Sequence, residues 1–152
     1  MVSDSVAILR HLEQRTPDPP LFPAEGARRA ELDVFIEWFE RVYKAAPNAI
    51  EDELERPEPD RGRVDRLGGE MAARLDVFER MLSRREHLFG EFGAADCVAF
   101  PFLKYALHRE PADDELFHLI LEEHQPLGGE HSSLRRWIER VGAMPRAYDE
   151  SR

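Results

Sequence analysis

His118 and Glu122 stand four residues apart, with Glu123 and His124 beside them. On a helix that spacing puts the pair on one face, where it could open a metal site. Such a site needs three or four convergent ligands. The sequence supplies no second matched pair, so no metal is expected, and His11, His87, His108 and His131 are scattered. Cys97 is the single cysteine. It lies in the most apolar stretch with no basic neighbour to lower its pKa, which predicts a buried, unreactive thiol. Glu51, Asp52, Glu53, Glu55, Glu58 and Asp60 concentrate acid in one segment but lack the glycine-centred spacing of a calcium loop. There is no glycine-rich phosphate loop and no local signature of a Ser-His-Asp nucleophile. Asp4 and Ser5 precede an apolar pattern and read as helix caps. Phe35, Trp38, Phe39 and Tyr43 on one predicted helix, and Phe100 and Tyr105 on another, pack a core or line an apolar pocket between the two.

The chain has 152 residues, 42% of them hydrophobic and 34% charged, enough for one domain with a sizeable core. A net charge of −10 argues against nucleic acid and anionic membrane as partners, since both require positive charge. The single cysteine fits a reducing, cytoplasmic setting. No basic segment followed by an apolar run marks a leader, and no stretch reaches the roughly 20 apolar residues of a membrane span.

The elements that must position these residues are helical. Residues 90–108 are the least polar, and 94–107 leave no polar face, which predicts a buried central helix. Gly93 would be its N-cap and Asp96 its third residue, reaching back to the Gly93 N–H as half of a capping box. Phe92 and Cys97 occupy the staple positions, and Pro101 should bend the axis. Before it, residues 5–14 form a short helix with Ile8, Leu9 and Leu12 on one face. Residues 16–23, with four prolines, form a stiff extended linker. Residues 24–46 form a long helix that Pro47 ends, and 48–63 a solvated, mobile connector. Residues 64–84 are helical despite Gly68 and Gly69, each costing roughly 1 kcal/mol relative to alanine. A close helix crossing or a mobile first turn would explain the two glycines. Residues 113–124 and a last helix through Leu134, Trp137, Ile138 and Val141 follow, the latter capped by Ser132 or Ser133 and stopped at Gly142. The predicted fold class is all-α: about five helices around a buried central helix, preceded by one short leading helix.

One ordered set of segments resembles a known family. Asp4-Ser5-x-Ala7-Ile8 and Leu12-Glu13 are followed by a proline linker ending Leu21-Phe22-Pro23, then by Arg29-Ala30 at the start of a long helix. Gly90-x-Phe92-x-x-Ala95-Asp96 and Leu134-x-x-Trp137-x-x-Arg140 come later, with Pro145 after them. In this order the pattern resembles the soluble glutathione S-transferases, over the last helix of their thioredoxin-like domain and their all-helical C-terminal domain. The resemblance divides the chain into a thioredoxin-like remnant at 1–16, a linker at 17–23, the helical domain at 24–148 and a tail at 149–152. The family usually has Ser or Thr where Gly93 stands, and often Arg where Met144 stands.

The resemblance implies glutathione as cosubstrate, with Ser5 binding the γ-glutamyl carboxylate at a helix start and Asp4 facing its amino group. A carboxylate is welcome at a helix N-terminus. It also implies an apolar electrophile held against the helical domain, for which Phe35, Trp38, Phe39, Tyr43 and Tyr105 are the candidate pocket residues. Nothing in the chain matches the Ser, Tyr or Cys that activates the thiol, nor the cis-proline loop that holds the tripeptide. A truncated enzyme, inactive alone and dependent on a homodimer or protein partner, is therefore expected. The alternative is a non-catalytic interaction module acting through another protein.

Overall fold

The computed structural model describes residues 5–145, for Ser5 the backbone alone. Seven α-helices follow one another: α1 Ser5–Arg15, α2 Gly26–Trp38, α3 Ala45–Leu54, α4 Arg61–Leu82, α5 Ala94–Leu103, α6 Leu116–Glu123 and α7 Ser132–Gly142. A π-helical turn, Phe39–Tyr43, joins α2 to α3, and a 3-10 turn, Lys104–Ala106, follows α5. Among the described residues extended pairing is limited to two isolated bridges in the loop before α5, His87 with Gly90 and Phe89 with Glu91. The molecule is all-helical, as its apolar periodicities predict.

The apolar α5 is the buried centre. Ala94, Ala95, Val98, Ala99 and Leu103 are buried, and α1, α2 and α7 pack on it. They share a core with Phe35, Phe39, Leu75, Phe78, Leu82 and Trp137. A second core joins Ile50 of α3, Val64 and Met71 of α4, Tyr105, and Ile120 and Leu121 of α6. Full burial of each large side chain contributes about 1.5–3 kcal/mol, so the two clusters together hold the bundle.

Two expectations are corrected here. Pro47 does not end a helix; it lies in the first turn of α3. There a missing N–H costs nothing, because the first helical donors have no partner within the helix. The 24–46 helix instead breaks at the π turn, where the Lys44 N–H donates to Phe39 O at 3.0 Å, five residues back. The acidic segment is likewise no solvated connector, because α3 buries Ala46, Ile50 and Glu53. Glu53, 1% exposed, accepts the Asp60 N–H at 3.0 Å and pairs with Arg63 at 2.8 Å and Arg56 at 3.2 Å. The Asp60 N–H, followed by the two guanidinium groups, holds its carboxyl below the ordinary value. Asp60 then caps α4 by accepting the Arg63 N–H at 3.0 Å.

Gly68 shows a close helix approach. A Cβ there would run into the His124 ring at the end of α6, whereas at Gly69 it would meet open space. The first turn of α7 is capped from another helix. Glu79 of α4 accepts the Ser133 and Leu134 N–H groups at 3.1 and 2.8 Å.

Candidate functional site

The junction of α1, the proline linker and the start of α5 carries Ser5, Gly93 and Asp96 of the residues the sequence singles out. Glu13 near the end of α1 accepts the N–H groups of Leu21 and Phe22 at 3.1 and 2.9 Å. Leu21 in turn accepts the Ala94 N–H at 2.8 Å, which ties the linker to the first turn of α5. The buried Phe22 ring lies under the guanidinium groups of Arg10 and Arg29, at 5.0 and 5.3 Å. Arg10 also pairs with Asp33 of α2 at 2.7 Å. The linker is thus clamped on both sides.

The inner side of α1, Val6 and Leu9, packs on the core. Ile8 and Leu12 point away, 47% and 50% exposed. The predicted single stripe of Ile8, Leu9 and Leu12 is therefore split between two faces, one covered by the bundle and one open. Asp4 lies outside the described residues. Ser5 opens α1 by its backbone.

At the start of α5, Asp96 is fully buried and saturated. One carboxylate oxygen accepts the Leu88 N–H at 3.1 Å and the Trp137 indole N–H at 2.7 Å; the other accepts the Gly93 N–H at 3.0 Å. Gly93 is held by geometry as well, since a Cβ there would sit 2.8 Å from the Leu21 carbonyl oxygen. The Ser or Thr usual in the resembled family has no room beside this linker.

A groove of about 370 Å³ runs between the linker, the start of α2 and the loop before α5. Arg28, Glu25 and Glu91 supply its charge, and Leu32, Phe89 and Phe92 its apolar wall. Arg28 spans it to Phe89 O at 3.1 Å. Gly90, with φ of 99°, makes the sharp turn at its edge. Among the described residues no serine, threonine, cysteine, tyrosine or lysine lines it. Cys97 lies in a separate apolar groove with Phe100, Pro101 and Met144. Cys97 is partly rather than fully buried, against the sequence expectation; that burial, with Asp96 beside it, pushes its thiol up to about 11, so it stays protonated and unreactive.

The five candidate pocket aromatics are brought together only in part. Phe39 and Tyr43 have no exposed surface and stack on each other at 4.8 Å, with Phe78 set edge-on to both. Phe35 joins the same cluster. Tyr105 belongs to the second core and stacks on His118 at 4.3 Å. These four act as packing rather than as an open lining: Phe39 and Tyr43 lie in the π turn and Phe35 on α2, all buried in the first core, and Tyr105 is buried in the second. Trp38 alone is half-buried, against Phe35, Tyr43 and Phe78. Glu122 does not face His118; it binds Arg109 at 2.6 Å.

Searches against family models and curated proteins return no match. Among solved structures, the chain is similar to the theta class glutathione S-transferase from the citrus canker pathogen Xanthomonas axonopodis pv. citri, a crystal structure with glutathione bound. The similarity has a TM-score of 0.68 at 22% identity and covers 95% of this chain and 69% of that one. This is a glutathione transferase fold. The leading helix, proline linker and bundle around residues 94–107 are thus explained as one continuous part of that fold. The glutathione transferase fold also gives α1 its place, although 22% identity carries no activity with it. No helix among the described residues is long and apolar enough to cross a membrane.

Proposed function

We propose that this chain forms the helical side of a glutathione S-transferase that conjugates glutathione to an apolar electrophile. The single observation that supports this most is the fold match over 95% of the chain, which takes in α1 and the linker as well as the bundle. A thioredoxin-like domain, in the same polypeptide or on a partner, would cover Ile8 and Leu12 and supply the thiol-activating group. Asp4 and Ser5 would receive the γ-glutamyl end of glutathione at the start of α1, where a helix N-terminus favours the carboxylate. Trp38 would be the aromatic that meets the electrophile, backed by Phe35 and Tyr43, with Phe39 stacked behind Tyr43; Tyr105, in the second core, would not take part. The assembly would be cytoplasmic and dimeric.

The test is glutathione-dependent turnover of chlorodinitrobenzene, measured on the purified chain and on the assembly isolated from its native cells. The chain alone should show no turnover above the uncatalysed rate, and the native assembly should show it. An inactive native assembly that contains an unrelated protein would favour the second reading, a glutathione-transferase-like interaction module. The exposed Ile8 and Leu12 would then be the surface that partner covers.

A further inference from the structure

The segment after the 3-10 turn folds back and brings Asp113 and Glu115 against His118 on the first turn of α6. His118 Nδ1 lies 2.9 and 2.8 Å from the two Asp113 carboxylate oxygens and 3.3 Å from Glu115 Oε2. One donor atom from each of the three residues falls within 4.8 Å of the other two. The imidazole is fixed in place, stacked on Tyr105 with ring planes 19° apart. The Asp113 backbone is fixed too, by its N–H to Glu110 O at 2.9 Å and by the Arg109 guanidinium on its carbonyl. That guanidinium is already committed to Glu122 at 2.6 Å, and the Lys104 ammonium lies over the Tyr105 ring. A further carboxylate, Glu51 of α3, faces Glu115 closely enough to feel its charge.

We propose that Asp113, Glu115 and His118 form a divalent transition-metal site suited to zinc. Its ligands are His118 Nδ1, one Asp113 oxygen and Glu115 Oε2, with water in the fourth position. One imidazole nitrogen and two carboxylates make a donor set that zinc accepts in tetrahedral form, whereas magnesium and calcium prefer oxygen throughout. Binding uses the lone pair of His118 Nδ1, so the neutral ring keeps its one proton on Nε2, and any proton held between Nδ1 and Asp113 is exchanged to solvent. The sequence pairing of His118 with Glu122 missed this set because its two carboxylates precede the helix and reach His118 only through the folded-back segment. The site is independent of the glutathione transferase reading.

The test is calorimetric titration of Zn²⁺ into the full chain at neutral pH, alongside thermal unfolding with and without the ion. Wild type should bind one equivalent and unfold at a higher temperature with zinc. His118→Ala and Asp113→Asn should each weaken binding roughly tenfold or more and lose the thermal shift. His11→Ala, at an exposed histidine on α1, should bind as wild type. Circular dichroism establishes that each variant is folded, and Asp113→Asn carries the test if His118→Ala is not. Absence of saturable binding below about millimolar zinc overturns the proposal. So does binding that persists in both site variants, or binding lost in His11→Ala.

Discussion

Asp96 and Gly93 decide whether α5 can start where it does. Asp96 holds three donors from three parts of the chain, and Asp96→Ala would leave the Leu88 and Gly93 N–H groups and the Trp137 indole without an acceptor. A loss of about 3–5 kcal/mol is expected in urea denaturation, since each buried donor left without an acceptor costs about 1–3 kcal/mol and neighbouring losses do not add fully. Gly93→Ser separates two physical effects. As a cap, serine would help by a few tenths of a kcal/mol. Its Cβ, however, would press on the Leu21 carbonyl, so a net loss of about 1–3 kcal/mol is expected by the same measurement. A gain would mean that the linker yields easily. The sequence reveals the local half of this arrangement, because Asp96 stands three residues after Gly93. The indole and the Leu88 N–H are brought in by tertiary folding, and no spacing rule reports them. The aromatic residues teach the same lesson. Their helical spacing places Phe35, Phe39 and Tyr43 together, but only the packed structure shows that they face Phe78 rather than a ligand.

Helices α4 and α7 show how the elements are fixed to one another. Gly68 and Gly69 are adjacent, yet only the first faces His124. Gly69→Ala should stabilise by about 0.5–1 kcal/mol, the usual gain in an exposed helix interior. Gly68→Ala should destabilise instead, and a matching gain at both sites would remove the close approach from the account. The cap that Glu79 places on α7 is sensitive to acid. Burial works to raise its carboxyl, but the Leu134 and Ser133 N–H groups, the Ser133 hydroxyl and nearby His131 outweigh it and hold it below 4.5. A lowered folded value stabilises above the unfolded one and is lost as pH falls through the folded one. The stability gap between wild type and Glu79→Gln should therefore be full above the ordinary carboxyl range, at about pH 6, and shrink as pH falls through and below that range. A gap constant with pH would contradict the assignment. That α4 and α7 are helices was legible, because apolar residues recur at steps of three and four, but α4 starts at Arg61, three residues early, and His131 rather than Ser132 or Ser133 precedes α7, with no side-chain cap of its own. Helix α3 was not, because its acids and proline mimic a linker. Its buried face rests on Ala46, Ile50 and the paired Glu53, and the pairing comes from Arg63 on the next helix.

At the scale of the molecule, the order of segments was the most legible feature. A short helix, a proline linker and a bundle around one apolar helix are what the structure contains, and they match a glutathione transferase fold over 95% of the chain. The face of α1 that carries Ile8 and Leu12 was misjudged in detail, because the sequence cannot say which side of a short helix its own bundle covers. That open face, on a helix tied to the linker through Glu13 and Phe22 and to α2 through Arg10, is the feature a thioredoxin-like domain would cover. The most direct measurement is the mass of the species containing this chain in its native cells, taken both intact and after denaturation. The account predicts an intact mass above the chain's 17.6 kDa by at least a small domain, with thioredoxin-like sequence in the same polypeptide or in a bound one. A bare species of 17.6 kDa, free of any second domain, would contradict it.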